Sequence, residues 1–332
     1  IGSAVLVLVV VSLVGLYRYK KDSAGGRWLI WNVSAQLIRE NPAFGVGTGC
    51  FAGAYGNAQE ASFVSGAMTE DQVRVAGAPD YAFNDFLQIT VETGAAGALL
   101  FLSVVVLSFR GLARRRDGLL YGLTSLMIVS LASYPLNLLP FCILLVFFIA
   151  AAQDDGRSGR RFPAVVSVAL LSGAFAWSCC AVSGAEKRYR ALQDWKLLQG
   201  AYQLQDYRFV AGEYEELYPE LCDEPRFLFE YGHALNKSER YFLSDWALRR
   251  GARFSGDPMF WNVMGNNSKA RGDVVAAERY YQKAYRRLPN RLYPLYLLAK
   301  LYFETGQDDK AREMADRVLS FDPKVPSTAV RE

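Results

Sequence analysis

The chain has 332 residues, of which 52% are apolar, and a formal net charge of +4 at pH 7. Acids and bases are interspersed in its C-terminal half, which excludes the basic stripe of a nucleic-acid-binding protein. The single histidine and the absence of C-x-x-C spacing among the five cysteines exclude a structural zinc site of the usual kind.

Long apolar segments in the first half predict membrane-spanning helices. Residues 1–17 carry no charge and would extend roughly 25 Å as a helix, close to the thickness of a hydrocarbon core. The chain enters this segment directly at Ile1, without the basic region that opens a signal peptide, so we expect further spans upstream. A second span is expected over residues 95–109.

The next apolar stretch, residues 119–152, is about twice as long as one span needs. Its middle is interrupted by Pro135, Asn137 and Pro140, and because proline breaks the helical hydrogen-bond ladder, a helical hairpin is expected. The last predicted span covers residues 162–182. Two cysteines near its end are interpreted as small apolar residues, with lipidation as the alternative: Cys179 and Cys180.

Two arginine-rich turns predict the orientation of these spans. The turns flank the expected hairpin and therefore lie on one side of the membrane, which the positive-inside rule assigns to the cytoplasm. The loop 18–93 and the C-terminal region then face outward. Three basic residues beside the first span oppose this scheme, namely Arg18, Lys20 and Lys21. They are outnumbered by the arginines of the turns: Arg110, Arg114, Arg115, Arg116, Arg157, Arg160 and Arg161.

The C-terminal half repeats with a spacing of 33 to 34 residues, starting at Leu192, Pro225, Pro258 and Leu292. The third repeat is the clearest, because seven positions carry the residue types of a tetratricopeptide repeat: Trp261, Met264, Gly265, Ala277, Tyr281, Ala284 and Pro289. Four such repeats predict a short superhelix with a concave binding face. We therefore expect an all-α protein, with a polytopic transmembrane helical domain (residues 1–185) followed by a tetratricopeptide-repeat α-solenoid (residues 186–332).

The polar stretch between the first two spans holds the residues best suited to chemistry. Residues 27–40 have apolar side chains at helical spacing, and their tryptophans favour a membrane interface. Arg27 stands at the start of this predicted helix, and Asn41-Pro42 ends it. A glycine-rich segment, residues 45–49, follows. It is interpreted either as a tight turn between helices or as a phosphate cradle of exposed backbone N–H groups.

A second polar group precedes the next span. Asn84, Gln88 and Glu92 are four residues apart and would share one helix face, with Asp85 close by. Catalytic use and simple capping or anchoring of the helix remain alternative interpretations of these side chains. Arg74 is the notable charge in the otherwise small and polar segment 52–79.

These residues together resemble the O-antigen ligase and polymerase family of membrane glycosyltransferases. The resemblance covers about residues 1–152 and rests on three motifs: R-x-x-x-W, N-P-x-x-G-x-G-x-G-x-F and N-x-x-L-Q-x-x-x-E-x-G-x-x-G. It implies a multi-pass protein of the bacterial inner membrane, with loop 18–93 and the repeats in the periplasm. It also implies an undecaprenyl-diphosphate-linked glycan as donor, no cofactor, and a glycan, lipid A-core or protein as acceptor.

The resemblance also implies roles for individual residues. Arg27 would bind the donor diphosphate, and Arg74 is a candidate second arginine, since guanidinium groups suit phosphate. The family's ligases carry His-Asn where this chain has Phe83-Asn84, and that histidine is the presumed base. Since phenylalanine accepts no proton, Asp80, Asp85 and Glu92 are candidate replacements.

Two functions from different classes follow. The first is a glycosyltransferase that transfers or polymerises glycan, with Arg27, Arg74, Asn84, Asp85 and Glu92 as candidate catalytic residues. The alternative is a non-catalytic membrane scaffold, whose repeats bind a protein partner of an envelope polysaccharide machine at their concave face. A transporter has less support, because the predicted spans carry no ionisable residue at their centres.

Overall fold

The computed structural model describes residues 21–115, 118–153 and 164–321, and the regular structure in these ranges is entirely helical. The predicted all-α fold is thereby confirmed. The predicted span 1–17 lies outside the described residues, as do Arg18 and Lys20 and the basic positions Arg116, Arg157, Arg160 and Arg161.

Three helices form the first body of the structure: α1 (Lys21–Glu40), α2 (Phe51–Val64) and α3 (Glu70–Val75). Helix α1 buries the apolar stripe Leu29, Val33 and Leu37 against α2, where Phe51 and Tyr55 are fully enclosed. The helix was predicted to begin at Arg27, but it is already formed at Lys21 and includes Gly25 and Gly26. Arg27 therefore lies inside the helix and not at its first residue.

The next helix, α4 (Asp85–Arg115), is the only one in the described ranges that is long and apolar enough to cross a membrane. Gly94 has non-helical backbone angles and divides it into two helical parts. Several large apolar side chains of the second part are exposed, among them Leu99, Leu100 and Leu107. An apolar surface of this kind suits contact with lipid.

The predicted hairpin is present as α5 (Leu119–Ser130), a 3₁₀ turn (Pro135–Asn137) and α6 (Leu139–Ala152). With 12 and 14 residues, both helices are shorter than the roughly 20 residues that one complete span requires. Helix α6 packs closely on α4, because Gly111 of α4 lies against the Ala152 backbone, and α5 packs on α6, because Gly122 lies against the Phe148 ring. Pro135 lies in the turn between the two helices, as predicted, and Pro140 lies in the first turn of α6.

The four predicted repeats are four helix pairs. Helix α7 (Ala164–Gln203) runs unbroken from the last predicted span into the first repeat and pairs with α8 (Tyr207–Leu221). The later pairs are α9 (Pro225–Lys237) with α10 (Tyr241–Gly251), α11 (Met259–Ala270) with α12 (Val274–Arg287), and α13 (Tyr293–Glu304) with α14 (Asp308–Leu319). Gly232 faces Leu248 and Gly265 faces Tyr281 at distances that leave no room for a side chain. These glycines therefore allow the second helix of each pair to approach the first closely, as predicted.

The repeats do not stand apart from the first body but dock on helix α2. The backbone of Gly53 touches the Arg253 carbonyl, and Gln59 donates to the carbonyl oxygen of Arg287 at 2.8 Å. The Arg287 guanidinium is fully buried, donates to Asn57 and lies 5.4 Å from the centre of the Trp261 ring. This interface was not predicted from the sequence, and it fixes the repeats beside the candidate site.

Candidate functional site

The two glycine-containing motifs of the sequence meet at a backbone crossing. Gly45 and Gly94 have φ values of +68° and +65°, and each lies directly against the other segment's main chain. Ala95 donates to the Pro42 carbonyl at 2.8 Å, while Val46 and Gly47 donate to Val91 and Glu92, both at 2.9 Å. The crossing anchors the loop after α1 to the break in α4.

This crossing decides between the two interpretations of the glycine-rich segment. The N–H groups of Val46 and Gly47 are used within the fold, and the Glu92 carboxylate accepts from the backbone N–H groups of Gly49 and Phe51. The segment is therefore a tight turn, and the phosphate cradle considered above is wrong for these groups. The turn instead holds Glu92 at the beginning of α2.

The polar residues before the span serve different purposes. Asn84 caps α4, because its side-chain oxygen accepts from the Leu87 N–H at 3.0 Å. Asp85 is buried and accepts from the Leu136 N–H at 3.1 Å and from the Asn137 amide at 3.2 Å. Both contacts tie α4 to the hairpin turn, as the capping and anchoring interpretation predicts.

Gln88 and Glu92 do share a helix face, as the spacing predicted, and their side chains lie 3.5 Å apart. Gln88 also accepts from the Ala82 N–H at 3.2 Å, which holds the Tyr81–Phe83 segment against α4. Glu92 and Asp85 are engaged by different partners, one by the glycine turn and the other by the hairpin turn. The structure therefore does not unite all the polar side chains of this helix in one cluster.

Arg27 lies exposed in a small aromatic group at the other side of the Tyr81–Phe83 segment. Its guanidinium donates to the Ala132 carbonyl at 3.2 Å and lies 5.4 Å from the centre of the Phe83 ring. Tyr134 contacts Phe83 edge-on, at 5.4 Å between ring centroids, and stacks on Tyr81 at 4.6 Å. Arg27 makes no ion pair with any side chain that the structure describes, so its charge is open to an anionic ligand.

Phe83 occupies a backbone conformation that suits a different residue type. Its φ of +52° lies in the left-handed region, where Asn, Asp and His are several times more common than bulky residues. Trp31 supports the neighbouring residue by donating to the Ala82 carbonyl at 3.0 Å. The position that departs from the family motif is thus also a position of backbone strain.

Arg74 is placed elsewhere. It lies in the last turn of α3, and its carbonyl oxygen accepts from the Asn290 amide of the repeats at 3.1 Å. Its side chain borders a cleft of about 420 Å³ together with Tyr285 and Arg317. The structure therefore associates Arg74 with the third and fourth repeats and not with the aromatic group around Arg27.

A cleft with a volume of about 800 Å³, called the large cleft below, lies between the first body and the second and third repeats. Gln88, Glu92 and Asn137 border it from α4 and the hairpin turn, and Glu224 and Phe229 from the repeats. Sequence reasoning missed the repeat residues, because a side chain of a repeat gives no local sign that it faces another domain. In the described ranges no three His, Cys, Asp or Glu side chains converge as a metal site would require.

Comparison with known families agrees with this architecture. Residues 1–102 match the family model described as O-Antigen ligase, and residues 269–329 match a tetratricopeptide repeat model. No curated protein sequence matches the chain significantly. The ligase match supports a membrane glycan-processing enzyme at the level of the family, and one apolar helix agrees with membrane association. The resemblance inferred from the motifs is confirmed over residues 1–102, where the chain matches the O-antigen ligase family model, and the predicted repeats are confirmed over residues 269–329.

Proposed function

We propose that this protein transfers or polymerises glycan at the bacterial inner membrane, using an undecaprenyl-diphosphate-linked donor. The observation that carries the proposal is the exposed guanidinium of Arg27, which has no carboxylate partner among the described side chains and lies beside the hairpin turn. Guanidinium groups bind phosphate oxygens in pairs and keep their charge at any physiological pH. We assign the donor diphosphate to Arg27, with the site and the repeats on the periplasmic side.

The proposed reaction is a direct glycosyl transfer. A hydroxyl oxygen of the acceptor attacks the anomeric carbon of the donor sugar, and the bond from that carbon to the diphosphate oxygen breaks. The lipid diphosphate leaves with the electron pair, and Arg27 stabilises its charge. The hydroxyl proton passes to a carboxylate, for which we propose Glu92, because it borders the large cleft while Asp85 is enclosed by the hairpin turn.

The proposal is tested by glycan transfer from a lipid-linked donor in membranes. Arg27→Gln should lower transfer by two orders of magnitude or more, because one preorganised charged donor is typically worth about 10²–10³ in rate. Arg27→Lys should retain part of the activity, since it keeps the charge but not the paired geometry. Arg39→Gln is the matched control: Arg39 is exposed and lies in the last turn of the same helix. Unchanged transfer by Arg27→Gln at normal protein levels would remove the proposal.

The scaffold function remains the second candidate, and Phe83 is the observation that favours it, since the family's presumed base is missing there. The two functions differ in what Glu92→Gln does. Under the transferase proposal this variant loses transfer while donor binding persists, because the amide keeps one acceptor oxygen for the glycine turn. Under the scaffold proposal, neither Glu92→Gln nor Arg27→Gln changes the glycan product in cells.

A further inference from the structure

The large cleft has aromatic walls contributed by both parts of the protein. Tyr81 borders it from the first body, and Phe229, Phe254 and Phe260 border it from the repeats. Phe260 is buried, whereas Phe229 and Phe254 are partly exposed. Flat apolar faces with a few convergent polar groups are typical of small-molecule binding clefts, and such faces pack well against the C–H surfaces of sugar rings.

The polar groups of the cleft are mostly acceptors. Six carboxylates border it against the one guanidinium of Arg226. Four of these carboxylates are already engaged: Glu92 by the glycine turn, Asp223 by Arg188, Glu230 by Trp195 and Tyr214, and Asp257 by the Met259 N–H. Asp80 and Glu224 have no side-chain partner in the part of the chain that the structure describes. Two acceptor-only groups therefore remain available, one on each wall.

The surplus of carboxylates in the cleft favours some classes of ligand over others. A diphosphate is disfavoured, because the surplus of carboxylates repels a second anion. Sugar hydroxyls are suitable, because each carboxylate can accept two or more hydrogen bonds from neighbouring O–H groups. The volume of about 800 Å³ falls within the usual range for ligand clefts and leaves space for several sugar rings.

The cleft also adjoins the proposed donor site. Tyr81 borders the cleft and stacks on Tyr134, which in turn contacts Phe83 beside Arg27. Glu92, the proposed base, lies in the cleft wall. We infer that the cleft between the first body and the second and third repeats binds the acceptor as a run of neutral sugar residues, held by Asp80 and Glu224 and stacked on Phe229. The inference rests on the proposed function and gives the acceptor its place and its chemical class.

A basic peptide is the competing occupant, because repeats of this class commonly bind peptides and the cleft is anionic. The hydrogen bonds on Glu92, Glu230 and Asp257 hold these carboxylates in fixed positions without neutralising them, and the aromatic walls offer flat faces that suit sugar rings. A glycan is therefore the occupant we infer, and the measurement below tests it against the peptide. Binding measurements on the full chain in lipid nanodiscs separate the two. The probes are maltohexaose and chitohexaose as neutral glycans, pentalysine as a basic peptide, and geranyl diphosphate as an anion.

We expect a hexaose to bind, and the Asp80→Ala/Glu224→Ala variant to weaken its binding about tenfold or more, as loss of charged acceptors implies. Phe229→Ala should weaken it as well. Glu216→Ala and Phe303→Ala, which change exposed residues of the repeats away from the cleft, are the matched controls and should bind normally. Arg27→Gln should lose geranyl diphosphate and keep the hexaose.

The outcomes distinguish the two proposals. Failure of both hexaoses to bind, equal binding by the Asp80/Glu224 variant and its controls, or tighter binding of pentalysine through these carboxylates would each overturn the acceptor cleft. None of these results changes the Arg27 assignment. Conversely, full transfer by Arg27→Gln removes the proposed transferase, while the hexaose measurements still report on the cleft.

Discussion

Gly94 offers a sharp test of the backbone crossing, because the fold has no space there for even a single methyl group. A Cβ on Gly94 would lie 2.3 Å from the carbonyl carbon and oxygen of Ala43, so the chains must separate by about 1 Å to reach ordinary carbon contact. The glycine-only backbone angles of Gly94 add about 1–3 kcal/mol of strain. Loosening the crossing hydrogen bonds costs about 1 kcal/mol each, so Gly94→Ala should destabilise this region by about 3–5 kcal/mol.

Gly66→Ala is the matched control for this experiment. Gly66 also has a positive φ, of +72°, but a Cβ there meets nothing within 4 Å. Its cost should be limited to backbone strain of about 1–2 kcal/mol. Hydrogen exchange of the Val46 and Ala95 amides, with glycan transfer measured in parallel, reports on the crossing. Equal protection and equal transfer for the two variants would show that the crossing does not hold the site together.

Three further predictions concern residues with defined partners. Asp85→Asn should cost about 1–2 kcal/mol in thermal stability and leave transfer measurable, because Asp85 holds the hairpin turn; complete loss of transfer in a folded variant would assign it a catalytic role instead. Burial lowers the pKa of His233 to about 4, so as the pH falls the unfolded chain takes up a proton before the folded protein does. The free energy of unfolding should therefore be highest above about pH 6.5 and decrease by on the order of 1–2 kcal/mol towards pH 4. His233→Gln should flatten that profile of unfolding against pH, and an unchanged slope would contradict the assignment. Burial also lowers the pKa of Arg287 to about 10, which indicates that its charge is costly to bury. Arg287→Met should therefore lie within about 1 kcal/mol of the parent in thermal unfolding, whereas Arg287→Ala leaves a void that costs about 3 kcal/mol. Equal losses of stability for both variants would show that the charge itself stabilises the interface.

Local patterns predicted much of the fold. The repeat period placed four helix pairs, and the packing of Gly265 against Tyr281 follows from the residue types at those positions. Pro135 and Asn137 marked the hairpin turn correctly. The predicted start of α1 at Arg27 was wrong, because the helix already includes Gly25 and Gly26 despite the low helix propensity of glycine.

The site was less predictable, since its geometry depends on contacts between distant segments. The spacing of Gln88 and Glu92 correctly predicted a shared face, but nothing local indicated that Asp85 would turn to Leu136. Arg27 and Arg74 look equivalent in the sequence, yet one lies beside Phe83 and the other beside the third and fourth repeats. The glycine-rich turn resembled an anion site because its pairing partner, the backbone of Glu92, is far away along the chain.

The seating of the repeats on α2 has a consequence for how this protein can be dissected. Removing the solenoid would expose the Gln59 amide and the surface at Gly53 to water, so the remaining half would lose the hydrogen bond and the packing that now support α2. A ligand that binds between the two parts only in their docked arrangement stabilises that arrangement, and by linkage a variant that strengthens the docking raises the affinity for that ligand by the same free energy.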